Sequence, residues 1–260
     1  MRFHIVIPAR FNSSRLPGKP LLDLNGRPMI WHVYQRAIES KLGDVIVATD
    51  DERIHNVVKG FGGDSVLTSK DHQSGTDRLA EVSFSRSFNE RDVVLNLQGD
   101  EPLIPAACIR KLADLFLKYK DVDVSTLSCP IKKKDDLVDP NVVKVITGIN
   151  QKALYFSRAP IPFDRSRRQD MALNAFKDDI YQRHIGIYAY RVDKLRILSE
   201  LPQSPLEKLE SLEQLRALEN DLSIFVEKLD FQPPHGVDTM ADYEKIKIIL
   251  EKNNGTHLPR

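Results

Sequence analysis

In the first half of the chain, short apolar runs alternate with amphipathic stretches. Phe3–Ile7, Val45–Ala48, Ser65–Leu67, Val93–Leu97 and Val124–Leu127 read as strands. Pro28–Ser40, Asp51–Phe61, Thr76–Ser85 and Pro105–Lys118 read as helices. Pro28 and Pro105 suit a first helical turn, where no N–H partner is lost. This rhythm predicts an α/β fold with a mostly parallel sheet and helices on both faces.

After Pro130 the rhythm changes. Val142–Thr147 and Lys152–Phe156 flank a Gly-Ile-Asn-Gln turn and predict a hairpin. The polar stretch 164–179 reads as a long loop. His184–Tyr190 and Ile224–Leu229 read as strands. Pro205–Asn220 reads as one helix, with Leu206, Leu209, Leu212, Leu215 and Leu218 spaced by three. That spacing drifts around a 3.6-residue helix, so the helix should be covered on more than one side. Thr239 should cap a last helix, with Asp242 as its acidic N3 residue, and 253–260 should fray.

Composition narrows the class. A chain of 260 residues buries enough surface to fold without disulfides. A net charge of +1 gives no overall pull toward nucleic acid or an anionic membrane. Cys108 and Cys129 lack metal-ligand spacing and read as buried thiols. No stretch has the length or apolarity of a membrane span or signal peptide, so a soluble, cytoplasmic protein is expected.

Local charge carries the chemistry. The first strand runs into a basic loop with Arg10, Arg15 and Lys19. Ligands of open α/β sheets bind at the carboxyl ends of strands, and three cations there suit a triphosphate; a solvated turn is the alternative. The loop lacks the Walker A glycine and Ser/Thr, and no dinucleotide glycine fingerprint follows the strand. Val93–Leu97 runs into Gln98, Asp100 and Glu101. Carboxylates at that edge could hold Mg²⁺ together with substrate phosphates, or form an ordinary turn. Asp238 reads on spacing as a helix N-terminal charge. Ser74, Gly75 and Arg78 read as a capped helix start or as a ligand loop. His184 reads as a core histidine, and Glu213 and Gln214 as a possible solvent face.

Taken together, the blocks PARFNSSRLPGKPL, HQSGTDR, QGDEPLIP, LYFSRAPIPFDR, RHIGIYAY, SPLEKLESLEQLR and GVDT resemble the 3-deoxy-manno-octulosonate cytidylyltransferases over nearly the whole chain. The resemblance implies a Mg²⁺-dependent reaction of CTP with the acidic sugar Kdo, giving CMP-Kdo and pyrophosphate for lipopolysaccharide synthesis. It implies an α/β nucleotidyltransferase sheet with a smaller sugar-binding region that forms a homodimer. Residues 1–130 would bind nucleotide, 131–229 sugar and a second subunit, and 230–260 would return to the nucleotide region. Arg10, Arg15 and Lys19 would hold the triphosphate, with Ser74, Gly75, Arg78 and Gln98 along the nucleotide. Asp100 and Asp238 would hold the metal, and with Arg15 and Lys19 would be the catalytic group. Arg158, His184, Tyr188, Glu213 and Gln214 would line the sugar site. Rival readings are a cytidylyltransferase for an amino-substituted or sialic sugar, a silent sugar-nucleotide-binding protein, and, least suited, an NAD-dependent dehydrogenase.

Overall fold

A computed structural model describes residues 1–12, 16–72, 74–165 and 180–253. In chain order the elements are β1 (Phe3–Ala9), a 3₁₀ turn (Lys19–Leu21), β2 (Asp23–Leu24), β3 (Arg27–Pro28), α1 (Met29–Ser40), β4 (Asp44–Thr49), α2 (Glu52–Gly60), β5 (Asp64–Leu67), α3 (Gly75–Ser85), β6 (Val93–Asn96) and α4 (Ala106–Lys118). There follow β7 (Val124–Pro130), α5 (Lys134–Val138), β8 (Lys144–Thr147), β9 (Ala153–Ser157), β10 (Gln182–Arg191), α6 (Val192–Glu200), α7 (Pro205–Glu210), α8 (Gln214–Glu219), β11 (Ile224–Lys228) and α9 (Met240–Asn253). The chain divides into two units, Met1–Ala113 with Tyr190–Ser199 and the segment from Pro233 onward, and Asp114–Ala189 with Glu200–Gln232.

The first unit carries parallel strands in the order β6-β1-β4-β5. Ile5, Val6 and Ile7 are fully buried at its centre, and α1, α2 and α3 pack on the strands. β1 runs past the expected stop at Pro8, because it pairs with β6 only as far as Val6. On that side the missing proline N–H interrupts no ladder. Asn25 and Gly26, at φ 55° and 77°, form the tight turn between β2 and β3 that an Asn-Gly pair favours.

A second apolar cluster in this unit bears directly on the chemistry. Leu16, Leu24, Met29, Val237, Ile246 and Leu250 pack together, with Tyr243 against them. Leu16 precedes Lys19 by three positions, and Val237 adjoins Asp238. Burying an aliphatic side chain contributes about 2 kcal/mol, so this cluster fixes two loops far apart in sequence. Thr239 and Asp242 cap α9 reciprocally, with Thr239 N donating to Asp242 Oδ2 at 2.9 Å and Asp242 N to Thr239 Oγ1 at 3.2 Å.

In the second unit β11 pairs in parallel with β7, and β8 pairs antiparallel with both β9 and β10. The β8–β9 hairpin turns through the expected Gly-Ile-Asn-Gln, with Gln151 at φ 64°. The single helix expected over Pro205–Asn220 is two. α7 ends at Ser211, which adopts φ 52° and ψ 49°, a left-handed conformation that closes a helix. The break leaves Leu209 81% exposed while Leu212 and Leu215 are buried, so the leucine spacing does not describe one covered cylinder. Ser204 caps α7 in a box with Glu207, and Arg216 grips Glu207 through Nε at 2.8 Å and Nη2 at 2.6 Å. The polar stretch 164–179 and the tail fall almost wholly outside the described residues.

Candidate active site

The 3₁₀ turn after the basic loop begins at Lys19. Gly18, at φ 68°, delivers the chain into it and is tied to Phe11 by a 2.8 Å bond from Gly18 N to Phe11 O. A side chain at Gly18 would meet the Phe11 ring at 3.2 Å, so the turn needs glycine for both reasons. From here Lys19 Nζ reaches Asp100 Oδ2 at 2.6 Å, the Val237 carbonyl at 2.8 Å and Asp238 Oδ1 at 3.7 Å. The lysine side chain is 14% exposed, against 29% and 55% for the two aspartates. Three loops therefore converge on one ammonium. Asp238 is drawn in by its neighbour, since Val237 N donates to the Asp100 carbonyl at 2.8 Å. Gly236 permits that approach, because a Cβ there would lie 3.0 Å from Asp100 O.

Arg10 follows β1, and its Nη2 is buried without a hydrogen-bond partner among the described residues. A desolvated guanidinium donor of this kind favours an anionic acceptor. Arg15 lies outside the described residues. Arg78, on the first turn of α3, is 0% exposed; it donates to Thr68 Oγ1 and, at 3.0 Å, to Asp50 Oδ2. Burial lowers its pKa and the Arg10 charge adds to that, while Asp50 opposes them. Arg78 is thus held by protein partners, and Asp50 and Thr68 join the group that sequence reading assembled. Asp50 follows β4 as Asp100 follows β6, the signal by which it could have been found.

Ser74 is the N-cap of α3: it accepts from Asp77 N at 3.1 Å, and its own N donates to Asp77 Oδ2 at 3.0 Å. The capped-helix reading therefore holds for its side chain. A Cβ at Gly75 would make only ordinary contact, 3.6 Å from Pro8. Gln98 Nε2 donates to Asn96 Oδ1 at 3.1 Å.

The candidates of the second unit form their own group. His184 is buried on β10, with its ring centroid 5.3 Å from that of Tyr188 and 5.0 Å from that of Phe156. Its Nε2 lies 2.9 Å from Thr126 Oγ1, which also lies 3.0 Å from the Ile185 carbonyl and 2.9 Å from the Ile187 carbonyl. A hydroxyl has one hydrogen, and carbonyls only accept. That hydrogen goes to only one of the three acceptors; with it on a carbonyl, Nε2–H of the histidine donates to Thr126. Burial, then the charge of Arg183, pushes the His184 pKa down to about 3. The ring is neutral at pH 7. Arg158 follows β9 and donates to backbone carbonyls: Nε to Glu210 at 2.6 Å, Nη1 to Pro140 at 2.8 Å and Nη2 to Ser211 at 3.3 Å. Glu213 precedes α8 at the N-cap position without a side-chain cap bond, and Gln214, expected as solvent face, is buried.

The donor set around Lys19 suits a hard divalent cation. Two carboxylates and a carbonyl already face one positive charge, and Mg²⁺ is held through one or two carboxylates plus substrate phosphates. No group of three or more acidic, histidine or cysteine side chains able to hold a metal ion is assembled among the described residues.

Comparison with known proteins decides the family. A family model described as cytidylyltransferase matches residues 4–227. A 3-deoxy-manno-octulosonate cytidylyltransferase of Cellvibrio japonicus is 49% identical over 252 residues, 96% of this chain and 99% of the relative. One of Nitrosococcus oceani is 44% identical, over 99% and 100%. The chain belongs to the 3-deoxy-manno-octulosonate cytidylyltransferases. The solved structure of a CMP:2-keto-3-deoxy-manno-octonic acid synthetase complexed with CTP superposes with a TM-score of 0.88 at 42% identity, covering 97% of this chain and 100% of that one. A cytidylyltransferase of Leptospira borgpetersenii shares the fold alone, with a TM-score of 0.59 at 16% identity over 100% of this chain and 99% of the other. The membership accords with the α/β nucleotidyltransferase fold and with cytidylyl transfer. No described helix is long and apolar enough to cross a membrane.

Proposed function

We propose that this protein transfers the cytidylyl group of CTP to 3-deoxy-D-manno-octulosonate. The anomeric hydroxyl of the sugar attacks the α-phosphorus, the bond to the β-phosphate oxygen breaks, and pyrophosphate leaves. The hydroxyl proton passes to solvent, since no side chain stands out as general base. The observation that carries the reading is the convergence of Lys19, Asp100 and Asp238 at the carboxyl ends of β1 and β6. On binding CTP, Lys19 exchanges Asp100 for a phosphate oxygen and stabilises the departing pyrophosphate with Arg15. Arg10 supplies its unsatisfied donor to the triphosphate. Ser74 and Gly75 open the helix beside the nucleotide, Gln98 lies along it, and Arg78 braces the site from within.

Asp100 and Asp238 would hold a Mg²⁺ ion, which when bound supplies positive charge at the phosphates and lowers the pKa of the attacking hydroxyl. Arg158, His184, Tyr188, Glu213 and Gln214 bind the sugar, with neutral His184 accepting a hydroxyl hydrogen bond through Nδ1. The enzyme is proposed to act in the cytoplasm as a homodimer, as its family resemblance implies. Light scattering at monomer mass would remove the dimer.

The deciding experiment measures pyrophosphate release from CTP and Mg²⁺ with Kdo, its 8-amino analogue, or N-acetylneuraminate. Release with Kdo alone is expected. Release only with another sugar would keep the chemistry and replace the substrate. Binding of CTP without release would leave a silent binding protein.

A further inference from the structure

We propose that Glu210 is a positioning residue for the sugar site, an inference that rests on the functional reading above. Glu210 ends α7, at the break that replaces the expected single helix. Both of its carboxylate oxygens are engaged by the end of β9. Ser157 Oγ donates to Oε1 at 2.6 Å, and Arg158 N donates to Oε2 at 2.9 Å. Ser157 Oγ in turn accepts from Ala159 N at 3.0 Å, so the exit of β9 is fixed in both directions. The same residue's carbonyl accepts from Arg158 Nε at 2.6 Å. Glu210 thus holds Arg158 twice, through its main-chain N–H and through its guanidinium.

The consequence for recognition follows from donor arithmetic. A guanidinium has five N–H donors. Three of those on Arg158 go to the carbonyls of Glu210, Pro140 and Ser211, leaving one on each terminal nitrogen. One free donor on each terminal nitrogen suits a carboxylate, the group that distinguishes an acidic sugar from a neutral one. The direction of these donors depends on the three contacts to carbonyls. Ser211 turns left-handed directly after Glu210, and Glu213 and Gln214 follow at the start of α8. The carboxylate therefore fixes Arg158, one of the residues assigned to the sugar, and none of those assigned to CTP.

The test is steady-state pyrophosphate release by wild type, Glu210→Ala and Glu210→Gln, with Kdo and CTP varied in turn and folding checked by thermal melting. Loss of charge-assisted hydrogen bonds should raise the KM for Kdo about tenfold or more in Glu210→Ala and leave that for CTP within about twofold. Glu210→Gln keeps one acceptor for Arg158 N and should recover part of the loss. A Kdo KM equal to wild type, or a fall in kcat with both KM values unchanged, would overturn the inference. If Glu210→Ala does not melt cooperatively, the isosteric Gln variant decides by the same criterion, a rise in the KM for Kdo alone. Absence of release by wild type would instead overturn the functional reading and this inference with it.

Discussion

Lys19 Nζ and Asp100 Oδ2 lie 2.6 Å apart although 81 positions separate them in sequence. The contact joins the loop after β1 to the loop after β6, and Asp238 lies 3.7 Å from the same nitrogen. Both aspartates are partly exposed, so neither supports the core. We predict that Asp100→Asn lowers kcat by about 10²–10³, the scale for removing one preorganised electrostatic group, with little change in melting temperature. Turnover within about tenfold of wild type, only ~1.4 kcal/mol of barrier, would take Asp100 out of the chemistry.

The same oxygens give a prediction about metal. Chelation with EDTA should abolish pyrophosphate release, and added Mg²⁺ should restore it. Without metal, Lys19 already neutralises part of the charge on the two carboxylates, so the fold should not depend on the ion. A melting temperature that moved by more than a few degrees on chelation, with no substrate present, would mean that the ion is structural.

Gly99 ties the β6 exit to β1. A Cβ there would lie 2.9 Å from the Pro8 carbonyl, and backbone cannot yield as a flexible side chain does. Gly99→Ala should therefore displace the end of β1, with Arg10 just beyond it, at a cost of about 1–3 kcal/mol. Because Arg10 is proposed to hold the triphosphate, the KM for CTP should rise while that for Kdo holds. An unchanged CTP KM would show that the strand end moves without carrying the phosphate loop.

Much of this arrangement was legible in the sequence, and the reasons differ by element. The parallel strands of the first unit announce themselves because buried strands are short, continuous apolar runs bounded by turns. The capping box of α9 is likewise written locally, in Thr239 and Asp242. The break at Ser211 was not legible: a left-handed serine carries no composition signal, and the leucine spacing argued for continuity. Asp238 was the instructive case. Spacing alone made it a helix charge; the cluster shared by Leu16 and Val237 and the bond from Val237 N to the Asp100 carbonyl bring it to Lys19. Arg78 was read too simply and Glu210 was missed, because ion pairs and side chain–backbone contacts across tens of residues leave no periodic trace.

His184 gives the protein a defined response to acid. Its pKa is pushed from an ordinary 6.5 down to about 3 by burial and then by Arg183. Between these values the unfolded chain binds a proton that the native state refuses, so stability rises with pH across that window. The contribution is complete above pH 6.5 and is lost as pH falls toward 3, with a slope of at most about 1.4 kcal/mol per pH unit. We predict that the His184 ring signals in NMR stay those of a neutral Nε2–H imidazole from pH 8 down to 5. Urea unfolding should show stability falling below pH 6.5, and His184→Asn should flatten that part of the profile. An imidazole that titrates near 6.5 would mean that water reaches the ring, and the donor–acceptor assignment to Thr126 and to the sugar would have to be redrawn.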